Sequence, residues 1–390
     1  MRWVASGLLF SAVACTPSPV PQDVKPAIVF PQSRPDSAPA SSNALVTASR
    51  PEPSDVVLAD SAPPDRSTGG PPADLTARAR PLVEAETAAL ERLLAVTGPN
   101  PQDRAHILHR LAINHVELAA TAAAAGDDAA ERAAHSKAID RFTTLHDDHP
   151  TWPRLDEVLY HRGSEHLALG ARDRARRDWF ELVQKFPQSK LVPRAYLGFA
   201  ELFFEESAAD PSKLELAKQA YQEVLKYPPP DNTVWGYAQY KLGWVHFNLG
   251  SFETALAAFM KTVEFGRRHT ALPGAPKLAS EAAKDAVRAY SRVGRPEAAW
   301  AFLRRLSGDQ GQNDAGTVAL VSRLGEAYLD DGRGQEALRL WEDVATGHAS
   351  PASCRVLEQA LRQLGQDGRV PSAAVSRLEA TARKGCGRFP

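Results

Sequence analysis

Residues 324–341, LGEAYLDDGRGQEALRLW, place apolar and small positions at helical spacing on both sides of a glycine turn. Leu324 and Tyr328 stand four apart, as do Ala337 and Trp341, so each pair shares one helical face. Gly332, between the two pairs, can take a positive φ and close the first helix in a left-handed cap. Gly325 and Ala337 are small enough to let the two helix backbones approach, and Trp341 fills the space beyond. The same offsets recur at Gly163, Gly170, Ala175 and Trp179, and again at Gly243, Gly250, Ala255 and Phe259. A single hairpin of this kind cannot bury its apolar face, but stacked neighbours can. The pattern predicts an all-α solenoid of about six helical hairpins.

More degenerate copies fill the rest of the array. Asp74 to Val96 reads as a helix with Leu82, Ala85, Leu90, Leu93 and Leu94 as its apolar stripe, placed to open the solenoid. Asp103 precedes the next apolar run as a candidate N-cap. Leu111 and Ala112 begin a long first hairpin completed by Ala138, Phe142, Leu145 and Pro150, with the alanine tract 119–125 and Gly126 extending it. The hairpin opening at Leu197 and Gly198 carries an insertion, Glu206 to Leu214, and closes with Ala217, Tyr221 and Leu225. A fifth unit, with Tyr290, Gly294, Ala298, Ala299 and Leu303, follows a loop from Gly266 to Lys277. Helices over Arg355–Leu364 and Ser372–Lys384 are placed as a terminal cap. The domain plan is 1–15, 16–72, 73–350 for the solenoid and 351–390 for the capping helices.

The start of the chain has a different character. Met1 to Cys15 carries one positive charge and a short apolar run, the layout of a secretory signal too short to span a membrane stably. Residues 16–72 are rich in Pro, Ser, Ala and Asp and cannot bury enough apolar surface to offset the entropy of ordering. They read as a disordered tether averaging roughly 40 Å end to end. Two cysteines remain beyond Cys15, Cys354 and Cys386, one on each terminal helix. In an exported protein such a pair points to a disulfide; two free thiols are the alternative.

The hairpin motif resembles the tetratricopeptide repeat, over roughly residues 103–350. That resemblance implies a right-handed superhelix whose first helices line a concave groove. Tyr237, Tyr240, Trp244 and Phe247 fall on one stripe of such a first helix, and Phe199 and Phe203 extend it from the preceding hairpin. Aromatic side chains combine apolar area with a polar tip and are enriched as binding anchors. These six are the candidate partner-binding residues; the competing reading packs them against neighbouring helices as core. Chaperone-binding relatives of the repeat share a lysine and asparagine clamp for a terminal carboxylate. The corresponding positions here are Ser164, Phe199, Trp244 and Glu326, which form no such clamp.

Composition narrows the function further. A net charge of −1 with 43% hydrophobic residues lacks the basic balance of a nucleic-acid binder. Neither H-E-x-x-H, G-x-S-x-G nor a phosphate-binding loop occurs, so the chain is expected to be no enzyme and to need no cofactor or metal. His146 and His149 suit the last turn of a helix, where cations match the dipole. Ala12-Val13-Ala14-Cys15 resembles a bacterial lipobox, which implies lipidation of Cys15, with an ordinary cleaved signal as the alternative. Lipobox, tether and repeats together resemble the tetratricopeptide outer-membrane lipoproteins of Gram-negative bacteria. The segment 280–300 is similar to one in deltaproteobacterial members. The resemblance implies a periplasm-facing adaptor that is anchored through lipid and docks a protein or peptide partner of the cell envelope. Alternatives are a subunit similar to the lipoprotein of the β-barrel assembly machinery, or a coordinator similar to that of the Tol–Pal and wall-synthesis system.

Overall fold

A computed structural model describes residues 78–97, 101–310, 314–366 and 370–387. Among them the chain forms fifteen α-helices and one short 3-10 turn, with no strand. A leading helix, α1 (Arg80–Val96), lies against the first of seven antiparallel pairs. The pairs are α2 (Pro101–Ala124) with α3 (Asp128–Asp148), α4 (Leu155–Ala168) with α5 (Arg172–Lys185), and α6 (Val192–Glu206) with α7 (Lys213–Leu225). Next come α8 (Trp235–Asn248) with α9 (Phe252–Arg268), α10 (Ala275–Val293) with α11 (Ala299–Ser307), and α12 (Ala315–Asp330) with α13 (Gly334–Gly347). The last pair is α14 (Pro351–Gln366) with α15 (Ser372–Cys386). Apart from α10, which packs on α9 and α12 more than on α11, each helix packs on the next in sequence, and the first helices α8, α10, α12 and α14 touch in an unbroken row. The result is the helical solenoid that the hydrophobic pattern predicts.

The turns repeat one hydrogen-bonding solution. Gly170, Gly250 and Gly332 sit at φ 76°, 72° and 75°. The residue after each donates its N–H back across the helix end, Ala171 to His166 O, Ser251 to His246 O and Arg333 to Tyr328 O. That pairing satisfies carbonyls which the end of a helix otherwise leaves without partners. Gly126 (φ 70°) ends α2 in the same way, with Asp127 N–H bonded to Ala122 O.

Packing inside the α4–α5, α8–α9 and α12–α13 hairpins follows the motif more tightly than the spacing alone indicates. Ala175, Ala217, Ala255 and Ala337 are fully buried. The aromatic ring lies directly on the small residue of the first helix. A Cβ added at Gly325 would meet Trp341 at 2.8 Å, and one at Gly243 would meet Phe259 at 2.7 Å. In the second hairpin Trp179 does this twice, lying 2.5 Å from where Gly163 and Gly198 would each carry a Cβ. One indole therefore fits between two successive first helices, and the hairpin seam becomes a seam between repeats. Leu94 of α1, Leu108, Leu111, Phe142, Leu145, Leu155 and Val158 form one cluster that crosses hairpin boundaries in the same way.

Several expectations need correction. The helix expected from Asp74 begins at Arg80 among the described residues, with Ala79 as its cap and Pro81 in its first turn; Asp74 itself lies outside them. Asp103 lies inside the first turn of α2, which starts at Pro101, so it is not the cap. In the degenerate fifth unit Gly294 is extended (φ −81°, ψ 155°), unlike the left-handed Gly170, Gly250 and Gly332. A Cβ there would meet the Tyr290 ring at 2.3 Å, so glycine is required by close approach and not by φ. The loop expected from Gly266 is shorter: α9 runs to Arg268, and Gly266 lets it approach the start of α10, where the Ala275 carbonyl is 2.4 Å from its missing Cβ. Finally, α1 buries Val83, Thr87 and Leu94, while Leu82, Ala85 and Leu93 of the expected stripe face solvent.

Candidate functional site

The six aromatic residues nominated for a binding groove are brought together, but mostly out of solvent. Phe199, Phe203, Tyr240 and Trp244 are buried, the last two at 2% exposure; Tyr237 and Phe247 are half-buried. Tyr240 and Trp244 lie 5.9 and 5.7 Å from the Phe259 ring, and Phe199 meets Trp179 edge-on at 6.0 Å. The cause is the row of first helices. Because α8 packs on α10 and Trp179 bridges α4 to α6, the stripe enters the seams between repeats and does not line an open groove. As a set of six accessible anchors the expectation is corrected; Tyr237 and Phe247 keep accessible edges.

A polar network accompanies the rings. Glu201 on α6 accepts from the Tyr221 hydroxyl and, at 3.4 Å, from Tyr237 Oη. Lys241, 8% exposed, places Nζ 3.4 Å from the same carboxylate and 4.1 Å from the centre of the Phe204 ring. Burial, with the charge of Glu201 next, pushes the phenols of Tyr221 and Tyr237 above the ordinary range, so both remain protonated donors. Tyr240 Oη donates to Asp285 Oδ2 at 2.6 Å. Burial raises the Asp285 carboxyl against the pull of that bond and of Arg288 and Arg323. Arg288 also lies 5.8 Å from the Trp244 ring, whose Nε1 is buried without a hydrogen-bond partner.

Beyond these rings the row of first helices presents charge. Lys284, Arg288 and Arg323 are partly exposed, and Glu326 is exposed. Of the four clamp positions, Phe199 and Trp244 are buried, Ser164 is half-buried with its hydroxyl donating to Tyr160 O, and Glu326 faces solvent. This face can meet a partner through charged side chains and two aromatic edges.

The remaining candidates resolve simply. His146 lies in the last turn of α3 and His149 caps it; His146 bonds Asp147 and Glu181. His161 stacks on Phe142, and His166 points Nε2 at Asp178, 3.8 Å away. No group of three or more His, Cys, Asp or Glu among the described residues is arranged to hold a metal ion. Cys354 and Cys386 are joined in a disulfide with Cα atoms 5.7 Å apart, linking α14 to α15. Cys15 and the segment 16–72 lie outside the described residues.

Sequence reasoning missed one buried ion pair and one half-buried one. Arg162 Nη2 lies 2.6 Å from Asp178 Oδ1, both nearly enclosed, and Lys241 pairs with Glu201 as above. The signal was present: Arg162 stands immediately before Gly163, where the other hairpins have Leu197, Leu242 and Leu324. A charge at a core position demands a partner, and Asp178, sixteen residues on, supplies it.

The tetratricopeptide repeat family model matches residues 237–264, which cover most of α8 and of α9. No curated protein shows significant sequence similarity to the chain. The central hairpin is thus a tetratricopeptide repeat, and the solenoid around it has the architecture of a protein–protein interaction scaffold.

Proposed function

We propose that the chain is a non-catalytic scaffold of the cell envelope. In this reading Cys15 carries a lipid anchor in the outer membrane, the segment 16–72 holds the helical body in the periplasm, and a protein partner docks along the row of first helices. The match of residues 237–264 to the tetratricopeptide repeat carries the interaction role. The signal-like residues 1–15, ending Ala-Val-Ala-Cys, support the anchor. With most aromatic area already used between repeats, the partner meets Lys284, Arg288, Arg323 and Glu326 beside the edges of Tyr237 and Phe247. Contacts between such exposed charges are screened by salt, so capture should weaken as ionic strength rises.

The test is a crosslinked pull-down from membranes, comparing the native chain with a Lys284→Glu/Glu326→Lys variant. Both positions point away from the core, so helicity and melting should be unchanged. Loss of the partner from a folded variant supports docking on this face, and the partner then names the complex. A partner retained by the variant, and insensitive to salt, places docking elsewhere. The anchor is tested separately: the native chain should incorporate labelled palmitate and a Cys15→Ala chain should not. An unlabelled native chain removes the lipoprotein reading.

A further inference from the structure

Glu117 is a carboxylate at a core position of α2, 3% exposed. A charge so enclosed demands a partner, and the one it has among the described residues lies outside every helix. Arg78, two residues ahead of α1, bonds it three ways. The Arg78 backbone N–H donates to Oε1 at 3.0 Å, Nε donates to Oε2 at 3.1 Å, and Nη2 donates to Oε2 at 2.7 Å.

The rest of the guanidinium reaches both helices of the seam. Nη2 also donates to Asn114 Oδ1 on α2 at 2.8 Å, and Nη1 pairs with Glu86 on α1. Glu86 is held from the other side by Arg110 of α2, through Nε at 2.8 Å and Nη2 at 3.1 Å. The Arg110 guanidinium, against burial and with help from Arg78, keeps the Glu86 carboxyl at about 2, so it stays ionised down to low pH. The helix that this cluster pins is otherwise lightly attached, since α1 buries only Val83, Thr87 and Leu94.

The place of Arg78 in the chain gives the cluster its meaning. Residues 1–77 join the helical body through the peptide bond of Arg78, so tension arriving from that side reaches Arg78 before it reaches α1. A helix pulled from its end opens one turn after another, each bond breaking alone. The bonds of Arg78 must break together, because one planar guanidinium and its own backbone N–H share the strain. We propose that Arg78 is a mechanical clasp, which passes tension from the N-terminal segment directly to α2 and shields α1 from it. This inference rests on the anchored-scaffold reading above, in which residues 16–72 connect the body to a membrane. An anchor at one end and a bound partner at the other would put that connection under tension.

Single-molecule stretching of the oxidised, unlipidated full chain tests the clasp. With Cys354 and Cys386 joined, Cys15 is the one free thiol and takes the first handle; a peptide tag after Pro390 takes the second. Release of the 17-residue α1 should appear as a step of up to about 60 Å. In the native chain a distinct force peak should precede that step. Arg78→Gln and Glu117→Gln should each abolish the peak, and combining them should add little, because both break one pair. Arg78→Lys keeps the charge but loses the fork, and should leave a peak of intermediate height. A second geometry separates tension from plain stability. With the handle moved to Ala125→Cys in a Cys15→Ser background, α1 lies outside the stretched segment, and Arg78→Gln should leave the trace unchanged. A native chain without the peak, a peak that survives Arg78→Gln, or equal weakening in both geometries overturns the proposal. If Arg78→Gln loses α1 helicity at rest, Arg78→Lys decides: an intermediate peak supports the clasp and a native one overturns it. No lipid takes part, so failure here leaves the anchor to its own palmitate test.

Discussion

Alanine is a better helix former than glycine by about 1 kcal/mol, yet Gly163→Ala should destabilise the second hairpin. The Cβ it adds would lie 2.5 Å from Trp179 Nε1 and 2.8 Å from Cδ1. Heavy atoms in comfortable contact are about 3.5 Å apart, so the indole must move by about 1 Å. It has little room to do so. Its other end, Cζ3, already lies 2.5 Å from the missing Cβ of Gly198 on the next first helix. Moving the ring also strains the bond from Nε1 to Tyr160 O, now 3.2 Å. Overpacking of this kind costs about 1–3 kcal/mol, and with both ends of the indole already in contact the upper part of that range applies, so against a propensity gain of about 1 kcal/mol the net loss is up to about 2 kcal/mol.

Gly347→Ala is the control. Gly347 ends α13 with nothing within 4 Å of its missing Cβ, so the same change there should be neutral or stabilising by up to about 1 kcal/mol. Because repeat arrays open locally, hydrogen exchange of α4, α5 and α6 is the sharper assay, alongside urea unfolding of the whole chain. Adding Trp179→Phe to Gly163→Ala should recover part of the loss, giving a coupling energy of about 0.5–3 kcal/mol. If Gly163→Ala stabilises the chain as much as Gly347→Ala, the indole does not sit between the two glycines and the account of the seam is wrong.

Three further outcomes follow from the same contacts. Burial holds the imidazoles of His109, His115 and His161 at about 3, 4 and 4, so each stays neutral in the fold but protonates near 6.5 when unfolded. Their contribution is complete above about pH 6.5 and is lost as pH falls; at about pH 5 each costs about 2 kcal/mol. His135 acts in the opposite sense, since its bonds to Glu165 and Glu131 outweigh burial and raise it, and it offsets part of this; exchange measured against pH should show α2–α4 opening first. Reducing Cys354–Cys386, which closes a separation of 32 residues, should cost about 3–4 kcal/mol and speed exchange in α14 and α15 alone. Asp178→Ala leaves the Arg162 guanidinium enclosed without its partner and should cost about 3–5 kcal/mol in a thermal or urea melt.

The fold was legible because its signals are local. Gly170, Gly250 and Gly332 end helices by backbone conformation, and Ala175, Ala255 and Ala337 are small because of a neighbour within the same hairpin. Helix boundaries failed where a contact between elements decides them, as at Gly266, which continues α9 because the α10 backbone passes close by. The site was harder for the same reason. Helical spacing puts Tyr237, Tyr240, Trp244 and Phe247 on one face but does not say what that face meets, and here α6, α9 and α10 share it. Arg162 shows what a closer reading can recover, because a charge at a core position announces a partner wherever it lies in the chain.

The same distinction bears on where partners bind. In this array the large rings between first helices hold one repeat to the next, as Trp179 does between Gly163 and Gly198 and Tyr240 does through Asp285. Removing one of them opens the seam before it touches any partner, so loss of binding in such a variant carries no information about the docking face. Partner contact has to be sought in side chains that can change without moving a helix. The exposed charges of α10 and α12 qualify. Contacts made by such charges are screened by salt, so raising ionic strength should release a partner held on the central row while leaving the apolar seams between repeats intact. A partner that stays bound at high salt is held elsewhere.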